Sequence, residues 1–81
     1  MNLSEIISAY ILLTVTLGRE YEVVQKAKKI PGVLDAKVVY GEYDVVVEVQ
    51  VNSLRELDKV VNELRKFNEV IRTVTLISSG S

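Results

Sequence analysis

The chain alternates between two hydrophobic rhythms. Residues 9–17, AYILLTVTL, are rich in β-branched and aromatic side chains and stop at Gly18, which predicts a strand. Residues 19–30, REYEVVQKAKKI, switch to a helical period. Val23, Val24, Ala27 and Ile30 share one side, with Glu20 and Glu22 in the first turn and Lys26, Lys28 and Lys29 toward the end, as the helix dipole prefers. Pro31-Gly32 stops that helix. Strands are predicted over 33–40 and 43–51, then a second helix over 52–67, NSLRELDKVVNELRKF. Ser53 and Glu56 have capping-box spacing there, and Leu54, Leu57, Val61 and Leu64 form an apolar stripe continued by Phe67. A last strand, 70–78, runs into the polar tail Ser79-Gly80-Ser81.

The order is β-α-β-β-α-β, and its halves echo each other: KIPGVL at 29–34 and KFNEVI at 66–71 each lead into a strand through paired apolar residues. Two split βαβ units side by side make a ferredoxin-like plait of class α+β. Right-handed crossovers then give a four-stranded antiparallel sheet with both helices on one face. The expected organisation is a single domain over 1–81 with flexible ends at 1–8 and 79–81.

The turn between the middle strands sets their register. With Gly41-Glu42 as a two-residue type II′ loop, Tyr40 faces Tyr43, Val38 faces Val45, Ala36 faces Val47 and Leu34 faces Val49. That side is apolar throughout and should meet the helices. The other side carries Val33, Asp35, Lys37 and Val39 on one strand and Asp44, Val46, Glu48 and Gln50 on the next. The first strand is apolar on both sides, so its second side, with Tyr10, Leu12, Val39 and Val46 nearby, would stand exposed in a monomer. Patches of that kind usually mark a contact surface, and a homodimer packed sheet on sheet is expected. Asp35 and Glu48 should lie opposite each other, a like-charge pair. Either both are solvated, or a partner chain's Lys or Arg joins Lys37 in compensating them.

Composition narrows the chemistry. In 81 residues there are 10 Lys and Arg against 11 Asp and Glu, no Cys and no His. A near-neutral chain is a poor free-standing nucleic-acid binder, and Asp35, Asp44 and Glu48 on the open face would repel phosphate. The missing His and Cys remove the commonest general base, thiol chemistry and the commonest metal ligands. No G-x-S-x-G or phosphate loop is present; Arg19 follows the first strand, but without a glycine-rich cradle. No catalytic residue, metal site or cofactor is expected. The apolar run at 6–15 is too short to span a bilayer and carries no basic flank, so a soluble cytoplasmic protein is the default expectation. Glu42, Tyr43 and Asp44 make an unusually acidic hairpin tip, either simply wet or half of a small-molecule site.

AYILLTV, KIPGVLDAKVVYGEYDVVVEV, the L-x-x-L of 54–57 and TVTLI at 73–77 together resemble the effector-binding RAM domain of the Lrp/AsnC, or feast/famine, transcription regulators. The likeness runs over 9–78 in the family's order, and its most specific part is I-P-G-V followed by G-x-Y-D. With only Met1–Ser8 ahead of the first strand, the chain resembles a version without the family's helix-turn-helix. The resemblance implies amino-acid sensing and assembly of sheet-paired dimers into a ring, typically an octamer, with effectors between neighbouring dimers. Full-length Lrp/AsnC regulators are implied as further partners. It places Gly41, Glu42, Tyr43 and Asp44 in the ligand site, with Thr73 and Thr75 as added hydroxyl donors. Each has a plainer role open to it: turn glycine, core tyrosine, or ordinary strand threonines. The competing function is a structural or adaptor module without a ligand.

Overall fold

A computed structural model describes residues 6–78. Runs rich in β-branched residues build β1 (Ile7–Val15), β2 (Val33–Val38), β3 (Val45–Val51) and β4 (Val70–Ile77), and the helical periods build α1 (Glu20–Ala27) and α2 (Leu54–Arg65). The βαββαβ order folds into one antiparallel sheet in the order β2-β3-β1-β4. This is the expected ferredoxin-like plait. The expected loose ends fall outside the described residues, apart from Ile6–Ser8, of which Ile7 and Ser8 already belong to β1.

The core lies between the helices and one face of the sheet. Ala9, Ile11, Leu13 and Val15 of β1, Val45, Val47, Val49 and Val51 of β3, and Ala36 of β2 are buried there. Val23, Val24 and Ala27 of α1 and the following Ile30 close over them, as their spacing requires. α1 is shorter than its apolar period: Lys29 and Ile30 continue as single turns onto Lys26 and Ala27, because Pro31 follows. α2 starts at a capping box. The Ser53 hydroxyl accepts from the Glu56 N–H at 3.1 Å, and the Glu56 carboxylate accepts from the Asn52 N–H at 2.9 Å. Its apolar stripe is rotated from the expected one: Leu57, Val60 and Leu64 are buried, Val61 and Phe67 are partly covered, and Leu54 is exposed.

The hairpin keeps its register in the middle and loses it at both ends. Val38↔Val45, Ala36↔Val47 and Asp35↔Glu48 stand as expected, but Val49 pairs with Val33 rather than Leu34. A bulge between Val33 and Asp35 turns Val33 onto the core and leaves Leu34 out in solvent. β4 repeats the device: its partners on β1 step from Arg72 to Val70, and the bypassed Ile71 is exposed. The KIPGVL and KFNEVI echo is therefore structural, with the second apolar residue expelled in both copies.

At the tip, Val39 N–H donates to the Asp44 carbonyl at 2.9 Å, and the loop beyond it is 40–43, twice the expected length. Tyr40 does not face Tyr43; it is 91% exposed. Gly41 takes φ +136°, a value that favours glycine.

Candidate functional site

The hairpin tip is held by its aspartate. The Asp44 N–H donates to the Leu13 carbonyl at 2.9 Å, and its carboxylate accepts from the Val15 N–H at 2.8 Å. Val15 lies just past the last β1–β3 pair, Leu13↔Val45, so a side-chain oxygen replaces a carbonyl that the ladder no longer offers. These bonds fix Asp44 against β1 and leave Tyr40, Gly41 and Glu42 projecting as the exposed rim, with Tyr43 half-buried beneath. One carboxylate oxygen is committed to Val15, and the other has no hydrogen-bond donor among the described residues. An anionic oxygen beside a glycine loop is a fitting partner for an ammonium group.

Thr73 and Thr75 do not join this tip within one protomer. They pair with Leu13 and Ile11, two core residues, and so lie on the helix side of β4, half-buried. β1 separates them from β3, an offset of about 10 Å across two strand spacings. Thr75 borders a shallow groove with Leu54, Leu57 and Val61 of α2. A hollow of about 870 Å³ lies at the other end of the sheet, between the Pro31-Gly32 turn and α2, and touches none of the six site candidates. It is a trough rimmed by Glu56, Lys59, Glu63 and Lys66.

The expected contact face is continuous. Tyr10, Leu12 and Val46 are neighbours on the side away from the helices, with Tyr10 paired to Glu48 and Leu12 to Val46. Val39, just past β2, is half-buried. The sequence reading missed two members: Leu76 stands beside Tyr10 and Val74 beside Leu12 on β4. Their alternation with Thr73 and Thr75 was the available signal. Thr14, on the same face, has a covered hydroxyl oxygen without a partner among the described residues.

A second polar cluster ties the ends of both helical units together. Glu69, only 11% exposed, accepts from Lys26 at 2.9 and 3.1 Å and lies 3.6 Å from Arg19. The Lys26 hydrogen bond holds its carboxyl below the usual carboxylate range, helped by a backbone bond. Lys26 also sits 4.8 Å over the Phe67 ring. Arg19 bonds Glu22 at 2.6 Å, which raises its already high pKa. The arginine after β1 is thus engaged in ion pairs. No three metal-ligating side chains cluster among the described residues, and no described helix is long and apolar enough to cross a membrane.

A family model for the Lrp/AsnC ligand binding domain matches residues 8–81. The chain belongs to the Lrp/AsnC family. Its Lrp/AsnC domain is 40% identical over 58 residues to the HTH-type transcriptional regulator PF0250 of Pyrococcus furiosus, covering 70% of this chain and 39% of that protein. The chain therefore spans about two fifths of the length of that curated relative. The crystal structure of FFRP-DM1 is 41% identical, with TM-score 0.82, covering 89% of this chain and 97% of that one. The Neisseria meningitidis regulator NMB0573, solved as an L-Met complex, shares the fold at 17% identity and TM-score 0.78, covering 91% of this chain and 50% of that one.

Proposed function

We propose that this Lrp/AsnC domain is an amino-acid-sensing oligomerisation module: it pairs through the open sheet face, assembles further into a ring of dimers, and binds an amino acid or a related metabolite between dimers. The observation that carries the proposal is the hairpin tip of a ligand-binding domain. There Asp44 is pinned to β1 with one oxygen still free, under a rim that a single protomer leaves uncovered. The free oxygen suits an α-ammonium, and backbone N–H groups around Gly41 suit an α-carboxylate. Glu42 and Tyr43 border the same space, while Thr73 and Thr75 lie too far off to serve the same protomer's tip. A second protomer has to supply the remaining walls. The L-Met complex of the Neisseria relative supports the ligand class at the level of the fold. Effector binding shifts assembly by its differential affinity for one oligomeric state, in this chain or in mixed assemblies with longer regulators of the family.

A second reading has its own observation: the Asp44 carboxylate already serves the fold by capping Val15, as a purely structural or adaptor module would use it. Asp44→Asn separates the two. The amide oxygen keeps the Val15 bond while the charge is lost. On the sensing proposal, calorimetric titration with the amino acid that binds wild type shows affinity falling at least about tenfold at nearly unchanged stability. A wild type that takes up no amino acid supports the structural reading, and equal affinity in the variant removes Asp44 from the ligand site.

A further inference from the structure

The open face carries a charge pattern that specifies how two copies meet. Leu12 sits at its centre, between Val46 on β3 and Val74 on β4. Glu48 lies one strand to one side and two residues toward one end, beside Tyr10. Arg72 lies one strand to the other side and two residues toward the other end, beside Thr14. With about 3.4 Å per residue and 4.8 Å between strands, each is roughly 8 Å from Leu12, in opposite directions.

We propose that two copies pair about a two-fold axis over Leu12, so that Glu48 of each meets the partner's Arg72. This rests on the sheet-pairing part of the proposed function and adds its register. One two-fold operation makes both ion pairs, as an isologous interface requires. The strands of the two sheets then cross at about 70°, toward the orthogonal class of sheet packing. The same operation lays Tyr10 over the partner's Val74 and brings Asp35 to about one strand spacing from the partner's Arg72.

The pattern answers an electrostatic conflict inside the chain. Asp35 and Glu48 are directly cross-strand, and among the described residues the one cation in ion-pair contact with either is Lys37, 3.9 Å from Asp35 and 70% exposed. Glu48 has no cationic partner and Arg72 no anionic one among the described residues. A like-charge pair on one corner and an unpaired guanidinium on the opposite corner are complementary only to a second copy turned in this way. An axis running along β1 would instead press Glu48 onto the partner's Leu76 and bury a carboxylate without a partner.

Sedimentation equilibrium of wild type, Glu48→Arg, Arg72→Glu and the double reversal tests the register, with circular dichroism confirming that each variant is folded. Each single reversal is expected to weaken the dimer about tenfold or more, and the double reversal to restore it to within about threefold of wild type. A wild-type dimer that the single reversals leave intact, or that the double reversal does not rescue, overturns the register while sheet pairing stands. A wild-type chain that stays monomeric at every concentration overturns the pairing as well.

Discussion

The two faces of this one sheet are made from the same strands and have opposite needs. On the helix side Ile11, Leu13, Val45, Val47 and Val49 are fully buried by the chain's own α1 and α2. On the other side Tyr10 and Leu76 remain about half exposed, and Glu48 and Arg72 lack partners among the described residues. The first face is solved within 81 residues. The second leaves apolar side chains half exposed and charges without partners among the described residues, which is the contrast the proposed pairing answers.

The contrast is broken most directly by truncating adjacent residues of β1. Leu13→Ala leaves a cavity among fully buried neighbours and should cost about 2–5 kcal/mol, a large part of a small domain's stability. Leu12→Ala, one residue away on the open face, should change monomer stability by about 0.5 kcal/mol and instead lower dimer affinity. Urea unfolding and sedimentation read the two effects separately. Equal loss of folding stability in both variants would erase the distinction between the faces.

Asp44 stands where fold and ligand compete for one side chain. Asp44→Ala should cost about 1.5–3 kcal/mol, because it removes a charged acceptor and leaves the Val15 N–H unpaired, whereas Asp44→Asn should cost markedly less. A comparable denaturation midpoint in wild type and Asp44→Ala would show that the Val15 bond is unimportant to the fold.

Gly32→Ala tests the turn into β2. A Cβ there would lie 2.8 Å from Val51 Cγ1 and 3.3 Å from Val60 Cγ2, at φ +99°, so a loss of about 1–3 kcal/mol is expected. Thermal unfolding checks it.

The smallest effect belongs to the ion cluster. The Glu69 carboxyl is held below its ordinary value in the folded chain, so its stabilisation is fully present above the ordinary carboxylate range and is lost as pH falls through the depressed folded value. Glu69→Gln should flatten that acid limb of stability against pH and leave the neutral-to-basic limb unchanged in shape; an identical acid limb would discount the Lys26 pair.

Much of this architecture was legible because local rules agreed with one another. Strand alternation, the Ser53–Glu56 box and the Pro31 stop each placed an element within a few residues. What could not be read was where alternation slips. Leu34 and Ile71 look like core residues in sequence, yet a bulge in each half expels them, and a bulge depends on ladder bonding that no single residue announces. The longer tip loop has the same origin: Asp44 is drawn to β1 by its bonds to Leu13 and Val15, a tertiary pull that a two-strand hairpin cannot show. The six ligand-site candidates came from resemblance rather than from spacing. The geometry groups four of them at the tip and sets Thr73 and Thr75 on the helix side of β4.

The most direct test of amino-acid sensing through assembly is native mass spectrometry of the chain alone and with each common amino acid. The account predicts dimers or a ring of dimers, and one amino acid that adds its mass at each dimer–dimer contact or changes the assembly's size. A chain that stays monomeric, or whose assemblies take up none of the amino acids and keep their size, would contradict it.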